Sequence, residues 1–215
     1  MTQFERLSVE AQNIVNNFSY SMLSKGFYHN PLMILGASLY AINPNAKSSV
    51  VKELDNYIID LKEELSSDQI DILKNEYTNV ILSCFDQNSE NTFRNGTIQI
   101  TPSGLVDLCL RIAECRPNSE VYLPYNGTGE FSRKLISCKC EGYEQSIINW
   151  AISEVVNSAV GVKCNIECAA LPIAMTTKEY DYIFTCPPFA QRREVISSLI
   201  HLLETNLKKD GNTYI

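Results

Sequence analysis

The chain lacks several features that would quickly assign it to a class of protein. Its eight cysteines include no Cys-x-x-Cys pair, and its two histidines, His29 and His201, are not near any cysteine pair in sequence. Because zinc sites are usually built from such closely spaced pairs, the spacing predicts no zinc centre. Most cysteines lie in apolar stretches, where a thiol packs as a small hydrophobic group, so we expect them to be reduced and structural.

A long apolar run and a targeting segment are also missing. No stretch approaches the roughly 20 apolar residues that span a bilayer, and the first residues have neither the basic nor the apolar region of a signal peptide. The pattern favours a cytoplasmic protein with no membrane partner. With 215 residues, 45% of them hydrophobic, the chain can form one large domain or two small ones around a buried core.

Positive charge is scarce. The chain has 18 Lys and Arg residues against 25 Asp and Glu residues, and 12 of the acidic residues but only 7 of the basic ones lie in the first 95 positions. An acidic surface repels the phosphates of nucleic acids. We therefore expect any binding to DNA to be weak in the isolated chain and to depend on a partner or on further sequence.

The first part of the chain is predicted to be entirely helical. Apolar residues recur at helical spacing in four segments, which predicts a helical bundle. These segments are 3–24, 31–42, 47–63 and 67–85. Ser66, followed by Gln69, predicts the N-cap of the last one. The polar segment 86–97 reads as a linker, so the predicted domains are 1–95 and 96–215.

After the linker, strands and helices alternate. A helix is predicted after Pro102, with Leu105, Leu108, Cys109 and Ile112 on one face. Strands are predicted at 121–125, 138–144, 164–170, 180–185 and 212–215, and helices at 129–137, 146–159 and 191–207. This alternation predicts an α/β fold with a parallel, doubly wound sheet. Because the last strand has only four residues, we expect a fragment of a longer protein, truncated after its fifth strand.

Two segments near the first strands carry candidate binding groups. The first strand runs into Tyr125-Asn126-Gly127-Thr128-Gly129, a Gly-x-Gly turn that lets the backbone approach a ligand closely. The turn lacks the third glycine and the lysine of a phosphate-binding loop. Glu144 ends the second strand, and a carboxylate at that position suits the two hydroxyls of a ribose.

The third candidate segment follows the strand at 180–185. That strand runs directly into Cys186-Pro187-Pro188-Phe189. Prolines cannot extend a central strand, so the backbone has to leave the sheet at its carboxyl end. Open α/β sheets bind ligands at that end, which makes this segment a candidate for catalysis.

In order and spacing, these motifs resemble those of the adenine-N6 DNA methyltransferases, especially the modification subunits of type I restriction-modification systems. The dipeptide Thr101-Pro102, which precedes the first predicted helix after the linker, completes the set of motifs. The specific resemblance covers about residues 98–190. It implies a helical N-terminal region followed by a Rossmann-like domain that binds S-adenosylmethionine. It also implies DNA as substrate and a specificity subunit as partner.

The resemblance implies a role for each matching residue. Thr101 and Pro102 would lie near the methionine end of the cofactor, and Glu144 would bind its ribose. The turn that begins at Leu123 and contains Asn126, Gly127 and Gly129 would follow the cofactor, and Ala169 stands where its adenine is read. Cys186, Pro187 and Pro188 would form the catalytic loop, and Phe189 would stack on the extruded base.

Several residues depart from the family pattern. Leu123 replaces an acidic or small polar residue, Glu130 a glycine, Ala169 an aspartate, and Cys186 the catalytic Asn or Asp. A thiol is a weak hydrogen-bond acceptor, and the loss of one oriented interaction typically costs about 10²–10³ in rate. Two alternatives therefore stay open: an inactive methyltransferase-like binding or assembly module, and an amino-group methyltransferase that acts on RNA or protein.

Overall fold

The computed structural model describes residues 2–28, 30–85, 101–169, 178–186 and 193–214. The described chain divides into two compact units, and the first contains the residues up to 85 together with Glu154–Val160. The second contains residues 101–153 and those from 161 onward. The predicted linker at 86–97 lies outside the described residues, so the boundary at 95 stays a prediction. Among the described helices, none has the length and apolar character to cross a bilayer.

The first unit is helical, as predicted. Its helices are α1 (Val9–Ser24), α2 (Pro31–Ala41), α3 (Ser48–Glu53), α4 (Ser67–Asn75) and α5 (Tyr77–Phe85), with 3-10 turns at Phe4–Arg6, Asp55–Tyr57 and Leu61–Glu63. Every residue of α2 from Met33 to Tyr40 is buried. Because a helix that is apolar all round must be covered on every side, α2 is the centre of this unit.

Side-chain caps set where the helices begin and explain two errors in the prediction. Ser66 and Gln69 form a capping box at the start of α4, which confirms the predicted N-cap. The predicted helix over 47–63 is wrong, because α3 ends at Glu53 and Asp60 starts a separate turn by accepting a hydrogen bond from the backbone N–H of Lys62 at 3.0 Å. The predicted helix over 67–85 is interrupted at Glu76, where the backbone leaves the helical region (φ −108°, ψ 23°).

The second unit contains a parallel sheet. Its elements are α6 (Ser103–Ala113), β1 (Glu120–Leu123), β2 (Lys139–Glu144), β3 (Cys164–Cys168), β4 (Tyr180–Phe184), α8 (Arg193–Asn206) and β5 (Leu207–Tyr214), together with the first part of α7 (Ile147–Ala159), whose residues from Glu154 onward belong to the first unit. All five strands are parallel, in the order β3-β2-β1-β4-β5. The order reverses next to β1, as in Rossmann-like sheets, and this confirms the predicted fold class.

Both faces of the sheet are buried. Val121 and Phe184 belong to the core on one face, where the ring of Phe131 stacks on that of Phe184 at 5.0 Å. Tyr122 and Ile183 belong to a second core on the other face. Successive residues of one strand therefore contribute to opposite cores, which is expected when helices cover both faces of a parallel sheet.

One helix prediction in this unit is wrong, and one predicted helix buries a different face. The segment 129–137 forms only a 3-10 turn, Ser132–Lys134, because Phe131 and Leu135 already reach the core from a single turn. The predicted helix after Pro102 is present as α6, but most of its predicted apolar face is exposed: Leu108 is 54% exposed, and only Cys109 of that face packs against the core. The helix instead buries Val106 and Ala113, since it is apolar on two faces and only one of them packs on the sheet.

The last strand begins earlier than predicted and contains an irregularity. Tyr180 pairs with Leu207 and Tyr182 pairs with Asn212, so four residues of β5 stand opposite one residue of β4. These four residues are Lys208 to Gly211, so the strand contains a bulge opposite Asp181.

Candidate functional site

The carboxyl ends of β1 and β2 approach each other closely. Leu123 pairs with Gly142, and a Cβ atom added to Gly142 would lie 2.1 Å from the carbonyl oxygen of Leu123. Only glycine fits at this position, so Gly142 is a structural requirement of the site that the sequence analysis missed. A glycine inside a predicted strand was the available signal, because it often marks a close backbone approach.

The Gly-x-Gly turn leaves β1 and crosses the end of β2. The backbone N–H of Asn126 donates to the carbonyl of Tyr143 at 3.1 Å. Gly129 has a φ of +91°, a conformation that L side chains rarely adopt, and a Cβ atom there would lie 3.1 Å from Cβ of Ser153. The turn is therefore packed tightly against α7 and is held over the end of the sheet.

The carboxylate of Glu144 holds this turn in place through hydrogen bonds. Its side chain is buried, and its oxygen Oε2 accepts a hydrogen bond from the N–H of Gly127 at 2.8 Å, while Oε1 accepts one from the N–H of Ser146 at 2.8 Å. One carboxylate thus joins the glycine turn to the start of α7. Since each carboxylate oxygen has two acceptor positions, Glu144 can still accept hydrogen bonds from a ligand diol.

Two buried polar side chains at this end of the sheet have no partner among the described residues. Asn126 is 5% exposed, and neither Oδ1 nor Nδ2 is hydrogen-bonded. Thr185, which follows β4, is 2% exposed, and its hydroxyl is likewise without a partner. Unpaired buried polar groups are rare because each typically costs about 1–3 kcal/mol. A polar ligand is one source of the missing hydrogen bonds.

A tyrosine beside the turn adds a hydrogen-bond donor. Tyr125 is half-buried, and burial, with the negative charge of Glu144 as the second cause, raises the pKa of its hydroxyl. The hydroxyl therefore stays protonated over the whole physiological range. The carboxyl end of β1 thus combines a protonated hydroxyl, an amide and a carboxylate.

The end of β3 contributes backbone groups, rather than a charged side chain, to this site. The N–H of Ala169 donates to the carbonyl of Glu144 at 3.1 Å, which joins the ends of β2 and β3. Cys168 and Ala169 are exposed. The structure therefore places the backbone of Ala169 beside that of Glu144, and the role of Ala169 at the adenine stays a prediction. Glu130, the second departure, is buried and accepts a hydrogen bond from the hydroxyl of Thr128 at 2.6 Å.

The segment that begins with Thr101 and Pro102 is linked to this region through Lys134. Thr101 and Pro102 precede α6, and the carbonyl of Pro102 accepts the first hydrogen bonds of that helix. Nζ of Lys134 lies 2.9 Å from Oγ of Ser103. The start of α6 is thereby attached to the 3-10 turn that follows the glycines. Within the described residues, neither Thr101 nor Pro102 is hydrogen-bonded to the glycine turn itself.

The predicted catalytic loop is described only at its first residue. Cys186 is half-buried and lies two residues beyond the end of β4. Pro187, Pro188 and Phe189 lie outside the described residues, so their roles stay predictions. The parts of the chain that are described contain no cluster of three or more His, Cys, Asp or Glu residues arranged to hold a metal ion.

Comparison by sequence finds no match: no family model matches the chain, and no curated protein does. Solved structures do match. A SAM-dependent O-methyltransferase from Thermotoga maritima is 16% identical, with 56% of this chain and 45% of that chain covered and a TM-score of 0.46. A SAM-dependent methyltransferase from Thiobacillus denitrificans, in complex with S-adenosyl-L-homocysteine, is 15% identical, with 56% and 50% covered and a TM-score of 0.45.

An N-methyltransferase is among the similar structures as well. Coclaurine N-methyltransferase, bound to N-methylheliamine and SAH, is 16% identical, with 56% of this chain and 37% of that chain covered and a TM-score of 0.44. The first matching structures extend beyond the region shared with this chain, since the match covers between 37% and 62% of their length. The fold assignment rests on the strand order of the sheet itself.

Proposed function

We propose that the second unit binds S-adenosylmethionine at the carboxyl end of β1 and β2 and belongs to a methyltransferase. The observation that carries this proposal is the hydrogen bond that the N–H of Gly127 donates to the carboxylate of Glu144. It places a carboxylate suited to a ribose directly beneath a glycine turn that a ligand can approach closely.

The residues present fit this cofactor. The carboxylate of Glu144 retains acceptor positions for the ribose hydroxyls. The amide of Asn126 lacks partners among the described residues and can both donate and accept, which suits the polar methionine end. Ala169 leaves room for an adenine ring but offers only apolar contact and backbone groups. When bound, the cofactor supplies an electrophilic methyl group.

We further propose that the acceptor is the exocyclic amine of adenine in DNA. The ordered motifs from Thr101 to Phe189 support this choice. The amine is a poor nucleophile because its lone pair is delocalised into the ring, and an acceptor for its hydrogens favours attack. Phe189 would stack on the extruded base. Because the chain carries a net charge of −7, DNA affinity would come from a partner, such as a specificity subunit, in the cytoplasm.

A specific observation favours a second candidate. Cys186 stands where the family has Asn or Asp, and a thiol accepts hydrogen bonds weakly. A methyltransferase-like module that binds the cofactor and assembles with partners, without turnover, is compatible with the same site. RNA or a protein amide as the methyl acceptor fits the Pro-Pro-Phe loop equally well.

Methyl transfer from labelled S-adenosylmethionine separates these candidates. We would compare the full chain, Cys186→Asn and Cys186→Ala on duplex DNA, RNA and protein substrates, after confirming that each variant folds. An active enzyme labels DNA, and Cys186→Asn raises the rate by about 10²-fold because it restores an oriented acceptor. Cofactor binding without transfer by any variant supports the assembly module. Transfer to RNA or protein alone contradicts the DNA substrate.

A further inference from the structure

Two cysteine side chains of neighbouring strands face each other near the amino end of the sheet. Cys140 of β2 pairs with Cys164, the first residue of β3, in the parallel register. Directly paired residues of neighbouring strands have their side chains on the same face of the sheet. Cys140 is buried in the core that contains Val121 and Phe184, and the partly buried Cys164 packs against that core. The pair therefore lies on one face, at the edge of the sheet that β3 forms.

The two thiols are in direct contact. They share a hydrogen bond, and this bond, followed by burial, raises the pKa of the Cys140 thiol. That thiol therefore stays protonated at neutral pH, and a protonated thiol reacts slowly with oxidants. All eight cysteines of the chain lie within the described residues, and none of them forms a disulfide. The pair is thus available as two adjacent sulfur ligands.

The spacing of the strands suits a bridging ion better than a disulfide. Neighbouring strands lie about 4.8 Å apart, whereas the two Cβ atoms of a disulfide are only about 3.8 Å apart. An ion that forms two bonds of about 2.3 Å to sulfur spans up to about 4.6 Å between the sulfur atoms. Cys140 and Cys164 can therefore hold such an ion without drawing β2 and β3 together.

The number of ligands limits which ion fits. Cys138 precedes Cys140 by two residues, a separation of about 6.6 Å in an extended chain, and its thiol donates to the carbonyl of Arg116 at 3.7 Å. Among the described residues, no group of three or more His, Cys, Asp or Glu side chains could hold a metal ion. Zinc, which normally takes four ligands, is therefore a poor match. Cu(I) is a soft ion that prefers thiolates and needs only two of them.

We propose that Cys140 and Cys164 form a two-coordinate binding site for Cu(I). The ion bonds both sulfur atoms and each thiol releases its proton to solvent. The copper stays Cu(I), so the step needs no oxidant or reductant. The complex carries one negative charge, and Lys139 and Lys163, the exposed residues that precede the two cysteines, place positive charge close to it. The ion reaches the pair from the side of Cys164, the more exposed of the two cysteines.

The test is a competition for Cu(I) between the full, reduced chain and bicinchoninate under anaerobic conditions, followed by the absorption of the bicinchoninate complex. We expect one Cu(I) per chain to be withheld from the indicator, and X-ray absorption at the copper edge to show two sulfur ligands. Equimolar Zn²⁺ should not displace the copper. Failure to withhold copper, displacement by Zn²⁺, or three or more ligands would overturn the proposal.

Four variants locate the ion. Cys140→Ala and Cys164→Ala should each weaken Cu(I) binding at least about 100-fold, because each removes one of only two bonds. Cys138→Ala removes the neighbouring thiol and Cys84→Ala a buried thiol of the helical unit, and both should leave Cu(I) binding unchanged. Cys164 is only partly buried, so its variant decides the question even where Cys140→Ala does not fold. Retention of Cu(I) by Cys164→Ala, or its loss in either control, would contradict the proposal. These outcomes do not depend on methyltransferase function.

Discussion

The two ends of the parallel sheet hold their acidic residues in opposite ways. Asp181, near the amino end of β4, lies 3.0 Å from Nζ of Lys208, and Glu141, in the middle of β2, lies 2.8 Å from Nζ of Lys178, which precedes β4. At the carboxyl end, the hydrogen-bond partners of Glu144 are backbone N–H groups. Lysines thus neutralise the carboxylates at one end, whereas at the other the carboxylate is buried near polar side chains that have no partner among the described residues.

The pKa values of Asp181 and Glu141 reflect the same difference. A hydrogen bond from the N–H of Glu120, and then the charge of Lys208, lower the pKa of Asp181. Burial alone would raise the pKa of Glu141, but hydrogen bonds from Lys178 and Tyr180 outweigh it, so that this pKa is lowered as well. These groups are satisfied within the protein. The comparison supports the proposal that the carboxyl end is the ligand site, because there the polar groups are not all satisfied among the described residues.

The largest effect is expected where the carboxyl end is built. Gly142→Ala places a methyl group against the carbonyl of Leu123, so β1 and β2 have to separate. We expect the free energy of unfolding to fall by about 3 kcal/mol or more, measured by denaturant titration. Gly104→Ala is the control, because a Cβ atom there meets open space. Equal stability of the two variants would show that the close approach is not required.

The second prediction compares two glutamates of β2 directly. Glu144→Gln removes one of two acceptor oxygens beneath the glycine turn, so we expect the affinity for S-adenosylmethionine to fall about tenfold or more, by calorimetry. Glu141→Gln, three residues earlier on the strand, should leave that affinity unchanged. A similar loss in both variants would remove the functional distinction between the two ends.

The third prediction concerns pH. Both Asp181 and Glu141 have lowered pKa values in the folded state, below their ordinary values of 3.8 and 4.5. Their contribution to stability is therefore complete above those ordinary values and is lost as pH falls through the lower folded values. The free energy of unfolding should decrease below about pH 4.5, and less steeply in Glu141→Gln. An unchanged slope in that variant would contradict the assigned pairing.

The smallest effect is expected at Thr185. Thr185→Val keeps the shape of the side chain and removes a buried hydroxyl that has no partner among the described residues. We expect the free energy of unfolding to stay constant or to rise by less than about 1 kcal/mol. A loss of about 2 kcal/mol in the absence of ligand would mean that the hydroxyl is already satisfied within the protein.

Much of the sheet could be predicted from sequence because its signals are local. Four of the five strands lie within two residues of their predicted bounds, since each is a short run with apolar or alternating character bounded by turn-forming or helical segments. The Gly-x-Gly turn and the placement of Glu144 at a strand end follow from the same patterns. β5 differs, because its first residues pair across a bulge that only the neighbouring strand defines.

The remaining features depend on contacts between distant segments. The double role of Glu144 requires that Gly127 and Ser146 both reach its carboxylate. The close approach at Gly142 depends on the register with Leu123. In α6, either apolar face could have been buried, and packing on the sheet selected Val106 and Ala113. No local sequence pattern distinguishes these outcomes, because each depends on residues from distant segments that pack against the residue in question.

Hydrogen exchange of the full chain, with and without S-adenosylmethionine, tests the central claim directly. Amides of the turn from Asn126 to Gly129 and of Ser146 should exchange more slowly with the cofactor, because it would cover the turn and restrain Glu144. Amides of Glu120 and Asp181 should show no specific change. Unchanged exchange at the turn under saturating cofactor, or equal protection of both ends, would contradict a cofactor site at the carboxyl end of this sheet.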